Sequence, residues 1–330
     1  MSDFTLKPQK GTVLITVLLF MSFLSIITIN FIRDIKINIA QFSNLRDINQ
    51  SFWISHSIEN ISKTIIEEAQ RLNPSSSILP VIWERGPIIF PFGDGLVSAD
   101  ISDGSNCFNL NGIVKAEEKN KYIRNNDGVL MYSNLLSSLD FSDAEILVMV
   151  NSLVDWIDTD TMPGNGGAED IFYMTAESSY RTPNNLISSI SELRAIRGYT
   201  EEYFQKIKSF VCVLPNTVHN SINLNTIRPD QMNLLVMLIG KKLNLSVADR
   251  IINSRPKEGF RNLDSFWSLN EFNNIEIPNL AKQYVTFKTK FFTLKAKVYL
   301  NDSFISISSK LGIKDSGEVY RINKNYGINL

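Results

Sequence analysis

The sequence predicts an α+β protein: one long N-terminal helix, then an antiparallel sheet interrupted by a large helical insertion. Three observations carry this. Apolar residues recur at helical spacing from Thr12 to Leu72. Strand-like runs bounded by glycine turns follow, and strand-like alternation returns only after Tyr284. Between them, roughly Ile113 to Lys282, the pattern is helical almost throughout. Of 330 residues 44% are hydrophobic, which excludes general disorder, and a net charge of −1 argues against a wholly nucleic-acid-directed protein.

The helix comes first. Thr12 to Ile32 carries no charge, and at about 1.5 Å per residue this stretch spans one hydrocarbon core of about 30 Å. It is too long for a secretory signal core, and no small-residue cleavage site follows Phe31. Thr16, Ser22, Ser25, Thr28 and Asn30 interrupt it. Small hydroxyl residues bond back to their own helix and permit close helix packing in lipid. Past Arg33-Asp34 the pattern continues through Ile35, Ile39, Phe42, Leu45, Ile48, Phe52, Ile58, Ile61, Ile65, Ala69 and Leu72. Asn73-Pro74 closes it, because the residue before proline disfavours helical geometry. Lys7 and Lys10 flank the N-side, which places the N-terminus in the cytoplasm and the bulk outside it.

Strands are expected at Leu79–Trp83, Pro87–Phe90 and Leu96–Ile101, then at Tyr284–Lys288, Phe291–Leu300, Phe304–Ser308 and Val319–Ile322. In the insertion, Ser142 and Glu145 read as a capping box for a helix carrying Ile146, Met149, Val150 and Leu153. A second helix lies near Ile187–Ile196 and stops at Gly198. Asn225–Asp230 introduces a third through Leu238, and Ser246 caps a fourth through Ile252. The chain thus divides into a leading segment 1–11, a helix 12–72 with membrane half 12–32, sheet 73–112, helical subdomains 113–214 and 215–283, and sheet 284–330. Cys107 precedes Asn109-Leu110-Asn111, and Cys212 precedes the similar Asn223-Leu224-Asn225. A disulfide in an oxidising compartment and two separate buried thiols both fit these cysteines. Asn185-Leu186…Glu192-Leu193 faintly echoes Asn262-Leu263…Trp267-Ser268-Leu269.

Charge is unevenly placed. From Asn125 to Tyr180 there are ten acids and no Lys or Arg, so the rest of the chain carries +9. The densest part is Asp155-Trp156-Ile157-Asp158-Thr159-Asp160, followed by the breaker stretch Pro163-Gly164-Asn165-Gly166-Gly167 and then Glu169-Asp170. Carboxylates at the negative end of a helix, with no basic neighbour in sequence, repel one another and take up protons. A hard cation with oxygen ligands resolves this, and a flexible loop suits Ca²⁺ better than Mg²⁺. The candidate ligands are Asp155, Asp158, Asp160, Glu169 and Asp170. The plain alternative is a solvated acidic loop.

Lys10-Gly11-Thr12 before an apolar helix resembles the processing site of type IV prepilins and type II secretion pseudopilins. That resemblance implies cleavage after Gly11 by a prepilin peptidase and N-methylation of Thr12. Thr16 then stands at the fifth mature position, where most of these proteins carry glutamate. The minor pseudopilin K family lacks that acid, which suits a subunit with no neighbour above it. The run Asp155 to Asp160, Pro163, Gly167-Ala168-Glu169-Asp170, Tyr173, Tyr180-Arg181, Asn184 and Glu192-Leu193 resembles the same family, general secretion pathway protein K. The resemblance implies a pilin-like fold with an inserted helical domain that binds calcium. It also implies a single-pass subunit of the bacterial inner membrane with a periplasmic bulk, at the pseudopilus tip with minor pseudopilins I and J. There it would initiate the fibre and support export of folded proteins across the outer membrane. Other pseudopilins, inner-membrane assembly proteins, exported substrates and the outer-membrane secretin are the further partners implied.

Two rival classes are weaker. Asn223–Thr226 with Ala248–Ile252, Arg255 and Gly259-Phe260 looks like the helix-hairpin-helix module of DNA-uptake proteins, which would make this a DNA-binding subunit of a DNA-uptake pilus. Its turn, Gly240-Lys241-Lys242-Leu243-Asn244, lacks the paired glycines that offer backbone N–H groups to phosphate, so no nucleic acid is expected. For an enzyme, only His56 and His219 are available, and Asp158-Thr159-Asp160 has no following glycine. No catalytic constellation is assembled, and a non-enzyme is expected.

Overall fold

The structure is a computed structural model that describes residues 11–330 except 73–85, 94, 176–178, 219–220, 257–258, 274, 301–302 and 330. Residues 1–10 of the expected leader and the strand expected at Leu79–Trp83 lie outside the described residues. Helix α1 runs unbroken over Thr12–Leu72. Its N-terminal part is exposed, and it is long and apolar enough to cross a membrane. The hydroxyls of Thr16, Ser22, Ser25 and Thr28 bond the carbonyls of Val13, Leu19, Met21 and Leu24 at 2.8–2.9 Å. The helix therefore satisfies these hydroxyls from within, as a lipid environment requires.

In chain order the strands are β1 (Ile88–Phe92), β2 (Gly95–Asp103), β3 (Phe108–Asn109), β4 (Val114–Glu118), β5 (Lys121–Arg124), β6 (Val211–Cys212), β7 (Ile222–Asn223), β8 (Val285–Thr286), β9 (Phe291–Leu300), β10 (Ser303–Ile313) and β11 (Val319–Asn329). After α1 the helices are α2 (Asn126–Ser138), α3 (Asp143–Ile157), α4 (Asp170–Met174), α5 (Glu201–Ile207), α6 (Asn233–Ile239), α7 (Leu245–Asn253), α8 (Leu263–Trp267) and α9 (Asn279–Gln283).

The main sheet has the order β1-β2-β9-β10-β11 and is antiparallel throughout. Ala99, Ala296, Ile307 and Tyr326 are cross-strand partners on one face. Period-two alternation puts Val97, Ile101, Leu294, Val298, Ile305 and Leu311 on that same face, packed with Ile54, Ile58 and Ile66 of α1. The opposite face carries Ser98, Asp100, Lys295, Lys297, Ser308 and Asn325. The helix–sheet seam is also ionic. Glu59 is fully buried and meets Lys324 at 3.1 Å, Arg321 at 3.2 Å, Lys63 at 3.4 Å and the Ser309 hydroxyl at 3.3 Å. Much of the apolar stripe read from the sequence is not the buried face. Ile39, Phe42 and Leu45 are 62%, 74% and 57% exposed, while Ser51, Ser55 and Ser62 are buried. Close approach to the sheet selects small side chains there.

The insertion is two copies of one design with its own core. In the first, β3 pairs in parallel with β6; in the second, β7 pairs in parallel with β8. Asn111 accepts from the Ile187 N–H at 2.8 Å and donates to the Ile187 carbonyl at 3.0 Å. Asn225 does the same to Phe260 at 2.7 and 3.0 Å. Two residues after each clamped position stands a helix N-cap, Ser189 or Asn262, and four further on a fully buried Leu193 or Phe266. The equivalence thus aligns Ile187 with Phe260, four residues away from the alignment suggested by the Asn-Leu phrases. Cys107 and Cys212, on the paired β3–β6 ends, are joined by a disulfide.

Ser142 caps α3 with Glu145 as a capping box. Three local expectations are corrected. Tyr284–Lys288 is not a strand of the main sheet, because Val285-Thr286 pairs with β7 inside the insertion. α7 is capped by Asn244, whose side chain accepts from Val247 N–H, and not by Ser246. The segment near Ile187–Ile196 is a 3-10 turn over Ile190–Ala195.

Candidate metal centre

α3 delivers the first carboxylates. Its inner face is apolar, so Asp155 and Asp158, on the last turn and C-cap, are carried inward with Trp156 and are 2% and 6% exposed. The chain then leaves helical geometry at Asp158, and Pro163-Gly164 prevents its return. Asp160 folds its own loop by accepting from Met162 N–H at 2.8 Å. Both Asp155 oxygens accept from Gly164 N–H at 3.1 Å. Asn151 donates to the Asn165 carbonyl at 2.7 Å and tethers the loop to α3. At Gly167 a Cβ would stand 1.9 Å from Asp155 Oδ2, so only glycine lets the loop close this tightly. The chain returns with Glu169, the N-cap of α4 and 5% exposed.

This brings Asp158, Asp160 and Glu169 together, with one oxygen of each within 4.8 Å of the others. Asp155 lies beside them but is occupied by backbone N–H groups of Gly164 and Ala168. Asp170 does not join: it accepts from the Thr182 N–H and hydroxyl at 2.9 and 2.8 Å, and Arg181 lies 3.9 Å away. The Thr182 hydroxyl, then its N–H, holds the Asp170 carboxyl below its ordinary value.

Burial, and then the charges of Asp160, Asp155 and Glu169, push Asp158 up to about 7. Burial, then Asp155 and Asp160, push Glu169 up to about 7. Asp155 is also raised, by burial first, against the pull of its backbone donors. Among the described residues, three buried acceptor oxygens here have no hydrogen-bond donor: Asp158 Oδ1, Glu169 Oε1 and Asn184 Oδ1. Asn184 sits at positive φ and donates its amide to the Asp160 carbonyl at 3.5 Å. The donorless oxygens of Asp158 and Glu169 sit in one acidic group that lacks a positive charge, and the Asn184 amide is tied beside it. The residues therefore fit a hard divalent cation.

Sequence reasoning did not place Asn184 or Thr182 at this site, although Asn184 belongs to the quoted signature; an Asn after Thr-Pro was the available signal of a turn. It also missed Arg124, from β5, whose charge bears on both Asp155 and Asp158. Trp156 is buried against Tyr173, 5.2 Å between ring centroids, so it belongs to the core wall of the site. Lys241 and Lys242 are spent on Asp143 at 3.4 Å and Glu276 at 2.8 Å, not arrayed for phosphate.

Residues 106–216 and 222–288 match two family models, each described as type II secretion system (T2SS), protein K. Over 265 residues the chain is 31% identical to the type II secretion system protein K of Aeromonas hydrophila, covering 77% of this chain and 78% of that one. The chain belongs to the type II secretion system protein K family. Another family member, from Pectobacterium carotovorum subsp. carotovorum, is 26% identical over 321 residues and 97% of each chain. Among solved structures, a chain from the crystal structure of the GspK-GspI-GspJ complex of enterotoxigenic Escherichia coli superposes with a TM-score of 0.74. It is 23% identical and covers 87% of this chain and 99% of that one, which establishes the shared fold. A protein K fold, a long apolar N-terminal helix and an inserted helical domain make this a pseudopilin-type subunit of type II secretion.

Proposed function

We propose that this chain is a non-enzymatic, single-pass inner-membrane subunit at the tip of the type II secretion pseudopilus. It assembles there with minor pseudopilins I and J, initiates the fibre, and supports export of folded proteins across the outer membrane. The observation that carries this is α1. Its membrane half is followed by an apolar stripe, Ile39, Phe42 and Leu45, that its own sheet leaves exposed. Such a stripe fits neighbouring rods of the same kind. Thr16, where most pseudopilins carry an acid, turns its hydroxyl onto its own helix. It therefore offers no charge to a terminal ammonium of a subunit above. Immunogold labelling of assembled pseudopili tests the placement: label at fibre ends only is expected, and label along the shaft overturns it.

The head is held by Ca²⁺. Asp158, Asp160, Glu169 and Asn184 Oδ1 would supply its ligands, with Asp155 shaping the loop beneath. The ion supplies the positive charge that lets these carboxylates stay ionised at neutral pH. Titrating calcium into the full chain in detergent micelles is expected to raise its melting temperature. Asp158→Ala and Glu169→Ala abolish that rise. No shift at millimolar calcium identifies a bare acidic loop.

A further inference from the structure

Positive charge also has a place in this molecule. Under the insertion, where the outer face of β9, β10 and β11 meets β6 and the end of α5, lies a groove of about 780 Å³. Arg194, Arg228, Lys208, Lys295 and Lys310 line it. The two arginines are committed, Arg194 to Glu201 at 2.6 Å and Arg228 to Asp230 at 3.0 Å. The lysines form no ion pair, although Lys208 lends its charge to Glu201. Lys310 donates to the Val213 carbonyl at 3.2 Å, and Lys208 to the Gln205 side chain. Among the described residues, no carboxylate stands within ion-pair distance of Lys208, Lys295 or Lys310. Asp100 faces Lys295 across the strands without closing a pair. Asp103, at the groove floor, is saturated by Thr226 at 2.5 Å, by Ser105 N–H at 2.7 Å and by Thr289. Burial pushes the Lys310 ammonium down, which marks the cost of leaving it without a counter-charge.

We propose that this groove receives an extended acidic segment of a partner polypeptide, its carboxylates on Lys208, Lys295 and Lys310. Asn323 and Asn325, on the same wall, offer amide groups to its backbone. A lipid headgroup is out of reach. Ser309, next to Lys310, bonds Glu59, and Glu59 lies 27 residues past Ile32 along α1, about 40 Å beyond the apolar span. Nucleic acid, a competing polyanion, is an outcome of the test below. The inference is independent of the cation site.

The test is fluorescence anisotropy of the full-length protein in neutral detergent micelles. The probe is a labelled peptide of six alternating Asp-Ser pairs, in calcium-free buffer at low salt. Saturable binding is expected. It should weaken about tenfold in Lys295→Ser/Lys310→Ser, as the loss of two ion pairs predicts, and recover in Lys295→Arg/Lys310→Arg. Lys208→Glu, on an exposed position, gives a second reading free of any folding effect on the sheet. No binding below about millimolar peptide, equal binding by the serine and glutamate variants, or equal competition by inorganic phosphate or an oligonucleotide of matched charge each overturns the proposal.

Discussion

Gly167 leaves no space for a side chain: a methyl there would fall on Asp155 Oδ2. Gly167→Ala is expected to cost about 1–3 kcal/mol, as overpacking of a closed site does, and to erase any calcium-induced rise in melting temperature; urea unfolding with and without calcium measures both. The titration of the cluster gives a second check. Asp158 and Glu169 have ordinary values of 3.8 and 4.5 and are pushed up to about 7 in the folded chain. The folded state therefore binds their protons more tightly than the unfolded one. Their contribution to stability is complete below the ordinary values and is lost as pH rises through about 7. In chelator, the melting temperature should fall between acid and neutral pH, and Asp158→Asn should flatten that fall. A profile independent of this substitution would mean that the carboxylate does not carry the effect. The clustered acids were legible because ten carboxylates with no basic residue among them is a conspicuous pattern. What could not be read was which of them face one another. That depends on Thr182 drawing Asp170 aside, and Thr182 lies 12 residues downstream with no local signal.

Elements were readable where a periodic face and a cap agreed. α3 is marked by Ser142 and Glu145 and by an apolar face, and the structure has both. α7 misled because Asn244 and Ser246 both qualify as caps, and only the fold decides which one meets Val247 N–H. β8 misled because the alternation over Tyr284–Lys288 does not name its partner, and only Val285-Thr286 pairs, with β7. The duplicated clamps are the element-scale device that makes the insertion a unit. Asn111→Ala strands the Ile187 N–H and the Ile187 and Leu214 carbonyls inside the core. A loss of about 2–4 kcal/mol is expected from several buried groups left unpaired, and Asn225→Ala should cost a similar amount; denaturant midpoints give both values. The Cys107–Cys212 bond closes a loop with a sequence separation of 105. Its removal by Cys107→Ser/Cys212→Ser should cost about 2–5 kcal/mol, read as a drop in melting temperature that reductant reproduces on the parent.

For the whole molecule, the stem helix and the main sheet share one core, and a buried charge cluster locks them together. Glu59 ties α1 to β10 and β11. Burial raises its carboxyl, but the Lys324 hydrogen bond and the Lys324, Arg321 and Lys63 charges outweigh this and hold it below its ordinary value. This contribution is present above the unfolded value and is lost as pH falls through the folded one. Glu59→Ala leaves Lys324, itself 6% exposed at its side chain, without its anion. The expected cost is about 3–5 kcal/mol, as for breaking a buried pair from one side. Hydrogen exchange should show α1 residues 47–66 losing protection before the insertion does. The sequence announced a rod and a split sheet, but not that α1 would turn serines to the sheet beside Ile58 and leave much of its apolar stripe outside. Apolar periodicity marks a face without saying whose core it joins. One last consequence follows from the register of β2 and β9. Asp103 lies opposite Phe292, and Gly104 N–H bonds the Phe291 carbonyl at 2.8 Å, so everything from 105 to 290 occupies the place of a tight β-turn. Excise it, close the gap with two residues, and what remains is a plain five-stranded meander on a rod. The head, built from residues 105–290, is then a module lodged in a single connection of the sheet.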